Sequence, residues 1–434
     1  MKKLVNYCPV FLLFLFASVE VSAQSVDVLI NENGKERRES IDLPVSMTYP
    51  LDSLLTDWKA KNYIDLSKDC STAEINPLFS DSVYIDRLSR MPTVMEMPYN
   101  DIVRKFIDMY AGRLRNQVAF MLSASNFYMP IFEEALDAYN IPQELKYLPI
   151  IESALNPSAV SRAGASGLWQ FMIGTGKMYG LESNSLVDER RDPIKATWAA
   201  ARYLKDLYNI YHDWNLVIAA YNCGPGTINK AVRRAGDESS DYWHIYNLLP
   251  KETRGYVPAF IAANYVMTYY CDHNICPMET NIPASTDTIQ VSKNLHFEQI
   301  ADLCGVSKSE IKSLNPQYKN EIIPGDSKPY TLRLPTTAIS TFIDRQDTIY
   351  AHRADELFRN RRTVSVKDTT PTASRRNSSA QSRNTGGATY HKIKSGETLG
   401  AIAGKYGVSV KELQRWNGLR GTNIAAGKRL KIYK

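Results

Sequence analysis

From Lys367 to Thr389 the chain reads KDTTPTASRRNSSAQSRNTGGAT, with no aromatic residue and no aliphatic side chain larger than alanine. Burial in such a stretch cannot offset the entropy lost on ordering it. Residues 367–389 are therefore expected to be a flexible tether, with separately folding units on either side. As a random coil its 23 residues reach roughly 25–30 Å.

An internal repeat flanks the tether. At an offset of 102 residues, Ile300, Ala301, Gly305, Val306, Ser307, Glu310, Asn315 and Gly325 match Ile402, Ala403, Gly407, Val408, Ser409, Glu412, Asn417 and Gly427. Each copy reads as strand, helix, turn, helix, strand, a small α+β (βααβ) module, placed at residues 289–335 and 390–433.

Upstream, the pattern is helical. Ile102, Val103, Phe106, Met109 and Tyr110 recur at three- and four-residue intervals, and Phe132, Leu136 and Tyr139 continue the pattern. Asp192-Pro193 is a helix start, and Gly224-Pro225-Gly226 a helix stop. Residues 24–99 read as an extended, loosely helical lead-in, and 100–280 as a mainly α domain.

One helix, opening at Pro142, carries Leu145, Leu148, Glu152 and Leu155 on one face. A carboxyl among leucines loses hydration of its ionised form, which raises its pKa and suits it to act as a general acid. From that spacing alone an ion-paired or helix-end glutamate with no chemistry is the favoured reading, since most amphipathic helices carry an off-pattern polar residue. Four motifs in order narrow the choice. Glu152-Ser153 is followed by Ser166-Gly167-Leu168-Trp169-Gln170-Phe171, then Ala219-Ala220-Tyr221-Asn222-Cys223-Gly224-Pro225-Gly226, then Glu252-Thr253-Arg254-Gly255-Tyr256.

This set resembles the lysozyme-like lytic transglycosylases over about residues 100–270. Tyr147-Leu148-Pro149 and Asp188-Glu189-Arg190-Arg191-Asp192 bring it nearest the membrane-bound lytic murein transglycosylase D subgroup. The resemblance implies a mainly α, lysozyme-like (goose-type-like) fold. It also implies Glu152 as sole catalytic carboxyl, first acid and then base, cutting peptidoglycan glycan strands between N-acetylmuramic acid and N-acetylglucosamine. The sugar's own 6-hydroxyl completes the attack and leaves a 1,6-anhydro end. Ser153, Ser166, Gln170, Tyr221, Asn222, Glu252 and Tyr256 fall at substrate-binding or groove positions. Trp169 and Cys223 stand where many relatives have Met and Ala. Ordinary glycosidases use two carboxyls. Of the candidates Asp188, Glu189 and Asp192, the last reads better as a helix cap and the others as a charged corner.

Residues 390–433 resemble a LysM domain, through Tyr390-His391-Lys392-Ile393, Gly396-Glu397-Thr398-Leu399 and Trp416-Asn417-Gly418-Leu419. The resemblance implies binding to chains rich in N-acetylglucosamine, with contacts at Gly396, Glu397, Thr398, Leu399, Gly418, Leu419, Asn423 and Ile424. The copy at 289–335 has Asn294-Leu295-His296-Phe297 in place of Gly-Glu-Thr-Leu. It reads as a degenerate LysM, either weak binder or spacer.

Lys2, Lys3, the apolar run Val10–Phe16 and Val21-Ser22-Ala23 form a secretory signal, residues 1–23. An exported, periplasmic or cell-envelope-associated protein is expected, with peripheral membrane attachment left open. Cys271 and Cys276 could pair across a short loop in that compartment. Scattered histidines and the lack of Cys-x-x-Cys argue against a metal, and no cofactor is expected. From Tyr390 to Lys434 ten Lys/Arg face two Asp/Glu, against a net +6 for the whole chain. Such a module attracts polyanions, and export disfavours nucleic acid among them. Two rival readings stand beside the transglycosylase: a hydrolytic muramidase acting on the same bond, and a noncatalytic peptidoglycan-binding scaffold.

Overall fold

The computed structural model describes residues 25–32, 35–49, 75–236, 241–278, 285–358, 388–393, 397–406, 408–419, 421 and 427–433. The signal at 1–23, the tether as far as 387, and Gly396, Gly407, Asn423 and Ile424 lie outside them. The chain divides into two compact units, Met1–Thr370 and Pro371–Lys434.

The first unit opens with an antiparallel hairpin, β1 (Ser25–Glu32) and β2 (Lys35–Asp42), in register from Ser25↔Asp42 to Glu32↔Lys35. A 3-10 turn, Val45–Thr48, follows. This segment is no loose lead-in: Val28, Ile41, Leu43 and Met47 are buried in the main core, as are Tyr84 and Leu88 of α1 (Asp81–Ser89).

The helices α2 (Asp101–Ala111) and α3 (Arg115–Ala138) come next. Asn100 caps α2 by accepting from the amides of Ile102 and Val103, and the apolar spacing turns Ile102, Val103, Phe106 and Tyr110 inward. The helix expected from Pro142 to Leu155 is broken. Gln143–Tyr147 form a 3-10 turn, and only α4 (Leu148–Ser153) is α-helical. Pro149 lacks an amide hydrogen and disfavours a helical continuation from before it, so the chain restarts there.

After α5 (Ile173–Met178), α6 (Pro193–Tyr211) starts where the sequence indicates, with the Asp192 carboxylate accepting from Ile194 N and Lys195 N. Next, α7 (Trp214–Cys223) stops at Gly224, whose φ of 80° favours glycine, and Pro225 opens α8 (Pro225–Ala235). Then α9 (Tyr242–Ile245) leads to α10 (Lys251–Thr268), buried almost all round and thus the centre of the bundle. Among the described residues no helix is long and apolar enough to cross a membrane.

Cys271 is free and exposed, whereas Cys276 is disulfide-bonded, so the expected Cys271–Cys276 pair does not form. A 3-10 turn, Cys271–His273, holds Cys271 outward while the following loop buries Ile275.

The internal repeat has its own core. It comprises β3 (Thr286–Val291), β4 (Asn294–His296), α11 (Phe297–Cys304), α12 (Lys308–Leu314), β5 (Ile322–Pro324) and β6 (Tyr330–Pro335), followed by α13 (Thr336–Asp344), α14 (Gln346–Ala351) and α15 (Ala354–Leu357). β3 pairs with β6 and β4 with β5, so the expected two strands are supplemented by a second, shorter pair. The other unit holds β7 (Ala388–Lys392), α16 (Leu399–Tyr406), α17 (Val410–Asn417) and β8 (Arg429–Tyr433), with β7 antiparallel to β8. β7 takes in Ala388 and Thr389, the last two residues of the expected tether.

The shared residues have shared jobs. Ser307 and Ser409 cap α12 and α17 by accepting from the amides of Glu310 and Glu412. Asn315 donates to Ile311 O and Arg333 O and accepts from Arg333 N; Asn417 does the same with Leu413 O, Lys431 O and Lys431 N, all at 2.7–2.9 Å. Each asparagine staples a helix end to the last strand.

Candidate active site

Glu152 sits half-buried near the end of α4, among the buried Leu145, Leu148, Ile151 and Leu155. The backbone then takes two successive left-handed residues, Ala154 (φ 51°) and Leu155 (φ 59°). Neither is glycine, so the bend is strained and needs outside support. Ser153 supplies part of it: its hydroxyl, fully buried, donates to Leu168 O (2.9 Å) and has Pro149 O at 3.1 Å. Ser153 thus braces the helix and does not line the cleft beside Glu152.

A cleft of about 310 Å³ opens beside Glu152. Its lining brings together Gln170, Tyr221, Asn222, Glu252 and Tyr256, with Phe171, Tyr203, Pro44 and Val45. Burial pushes the Glu152 carboxyl up to about 8; the Tyr256 hydroxyl, which donates to its Oε1, opposes that shift, and the negative charge of Glu252 adds to it. Near neutral pH the group therefore holds its proton.

The remaining cleft residues are locked from behind. Tyr221 donates its hydroxyl to Trp169 O (2.7 Å), and Trp169, fully buried, donates from Nε1 to Thr197 Oγ1 (2.9 Å). That pair fixes the strip before Gln170, itself left-handed at φ 46°, whose Nε2 donates to Gly167 O (2.8 Å). Thr253 donates to Asn222 Oδ1 (2.9 Å), leaving the Asn222 amide NH₂ as the donor available to the cleft. Glu252 is exposed, with no ion-pair partner among the described residues. Ser166 is buried, its Oγ accepting from Arg191 Nε (3.1 Å), so it anchors the strip from inside and is not part of the lining.

The charged corner is structural. Asp188 makes a two-pronged pair with Arg190 (2.8 and 2.9 Å), Glu189 pairs with Lys195 (2.5 Å), and Asp192 caps α6. Arg190 Nη1 donates to Gly164 O (2.8 Å) and Phe171 O (3.0 Å), so the corner grips the strip that forms the cleft wall. The wall residues Pro44 and Val45, from the N-terminal segment, carried no signal in the sequence.

The internal module docks on the same corner. Asp188 N donates to Gln317 O (2.8 Å), Lys319 N to Leu186 O (2.6 Å) and Lys319 Nζ to Asn184 O (2.8 Å). At the repeat's offset, Gln317 corresponds to Leu419, so the loop expected to touch sugar in the tail module is here occupied by protein. In the tail module, Glu397 Oε2 lies 2.8 Å from Nε2 of the buried His391. Leu399 is buried in that module's core and Leu419 packs against it, while Thr398 and Gly418 are exposed.

Comparison with known proteins agrees with this organisation. Residues 129–244 match the Transglycosylase SLT domain, 285–351 the LysM-like domain of lytic transglycosylase MltD, and 391–432 the LysM domain. Membrane-bound lytic murein transglycosylase D of Escherichia coli is 31% identical over 341 residues, 78% of this chain and 70% of that protein. The soluble lytic murein transglycosylase of the same organism is 30% identical over 151 residues, 33% of this chain and 23% of that one. The solved 70 kDa soluble lytic transglycosylase of E. coli superposes with a TM-score of 0.29 at 28% identity, covering 36% of this chain and 26% of that one. The identity to the first of these runs through most of both chains, and on that ground the chain belongs to the lytic murein transglycosylase family, with LysM domains appended to an SLT domain.

Proposed function

We propose that the protein cuts the β-1,4 bond between N-acetylmuramic acid and N-acetylglucosamine and leaves 1,6-anhydromuramic ends. Glu152 gives its proton to the glycosidic oxygen as the C1–O bond breaks. The resulting carboxylate then takes the proton of the muramic 6-hydroxyl, whose oxygen bonds to C1, and no water is consumed. The observation that carries this reading is Glu152 itself, a half-buried carboxyl raised to about 8 and hydrogen-bonded by Tyr256, in a cleft of about 310 Å³.

In this scheme Tyr256 holds the carboxyl in place and stabilises it once ionised, and Glu252 keeps it protonated between turnovers. Gln170, Tyr221 and Asn222 contact the glycan. The tail LysM module holds the enzyme on the wall through its exposed loops, which raises the local concentration of strands. Export through the N-terminal signal delivers the protein to the envelope, where its substrate is.

The exposed Glu252 gives the hydrolytic rival its footing, since a second carboxylate in the cleft could activate water. Mass spectrometry of purified murein digested by the full chain separates the two. Anhydro-ended fragments, lighter by one water than reducing ends, are expected; predominantly reducing ends would show a muramidase.

A further inference from the structure

The N-terminal segment lies outside the span matched to the SLT domain, yet it reaches the reacting carboxyl from two directions. Pro44 and Val45 line the cleft with Glu152. Ser46 donates its buried hydroxyl to Ile151 O, the carbonyl one residue before Glu152. That carbonyl belongs to the last turn of α4, where helix carbonyls lack intrahelical partners. The bond therefore braces the strained end of α4, as Ser153 does.

The segment is pinned in turn to α10, which carries Glu252 and Tyr256. Glu39 of β2, 7% exposed, pairs with Arg254. Gly255 lets the hairpin come close: a Cβ there would stand 2.7 Å from Asp42 O and 2.9 Å from Ile41 Cγ2. Hairpin and turn are thus fixed to both elements that build the acid.

We infer that the N-terminal segment is a working wall of the active cleft: Val45 presents an apolar surface to the glycan, and Ser46 is a positioning residue that holds the end of α4, and with it Glu152, through the Ile151 carbonyl. The inference rests on Glu152 being the acid.

The test uses the full chain on purified glycan strands. Ser46→Ala is expected to lower kcat about tenfold, the order of one buried hydrogen bond, with KM little changed, and Ser46→Thr, which keeps the hydroxyl, to recover most of it. Val45→Asp is expected to raise KM with kcat nearly unchanged. Wild-type kcat in Ser46→Ala overturns the inference, as does an unchanged KM in Val45→Asp. Glu152→Gln, assayed alongside, separates the two levels. If it still cuts, the reading of the site fails; if it is dead while Ser46→Ala behaves as wild type, only the wall inference fails.

Discussion

Glu152→Gln is expected to reduce kcat by about 10²–10⁴-fold, the range general acid–base groups supply, while making the folded protein more stable at neutral pH. Glutamine keeps the size of the side chain and can still accept from Tyr256, but it has no proton to transfer. In the wild type, kcat/KM should fall as pH rises through about 8, where Glu152 loses its proton. The stability effect has the opposite sign to that of an ordinary ion-paired carboxylate. The folded protein holds this proton to about 8, whereas the unfolded chain releases it near 4.5. Glu152 therefore costs nothing below about 4.5, and its destabilising effect grows as pH rises toward 8. At pH 7 the replacement should gain about 1–3 kcal/mol, allowing for solvent in the cleft. Thermal melts at pH 4 and pH 7.5 check this: equal shifts at both values, or retained cutting, would exclude Glu152 as the acid.

Arg190→Ala is expected to cost about 3–5 kcal/mol of folding stability, since it strands Asp188 in the interior. Their side chains are 7% and 2% exposed, and the nearest other cation, Lys319 Nζ, is 3.9 Å from the Asp188 carboxylate. The loss reaches the cleft as well. Without Nη1, the carbonyls of Gly164 and Phe171 lose the group that fixes the strip carrying Ala163, Ala165, Gln170 and Phe171 along the lining. KM should rise more than kcat falls. Replacing both partners, Arg190→Met with Asp188→Leu, should recover much of the stability, because a buried pair is worth little over apolar packing. It should not restore KM. Urea unfolding midpoints together with kinetics decide, and a loss under about 1 kcal/mol in Arg190→Ala would show the pair to be incidental.

What the sequence revealed was local, and what it hid was distant. The Asp192 cap and the stop at Gly224 each depend on neighbours within four residues, and both stand where the pattern puts them. The break before α4 was also local: Pro149 was in plain view, but the leucine spacing continued through it and masked the restart. Ser153 and Ser166 fell next to cleft residues in the motifs, yet which way a hydroxyl turns depends on Leu168 and Arg191, supplied by the folded chain. The wall was illegible for the same reason, since Ser46 meets a carbonyl 105 residues away. The corner 188–192 reads as a helix cap beside a solvated or ion-paired run; the folded chain makes it capped and ion-paired, and nothing in its composition announced that the internal module would dock there.

The pairing of β2 with α10 also governs when the site can exist. Glu39 and Arg254 are 215 residues apart, and contacts of such separation form only after a large loop has closed. A chain growing from its N-terminus carries the wall and then Glu152 long before Tyr256 has been made. Up to that moment the carboxyl has neither its hydrogen-bond donor nor the enclosure that raises its pKa. On the proposed reading of Glu152, competence arrives only with the last helix of the bundle.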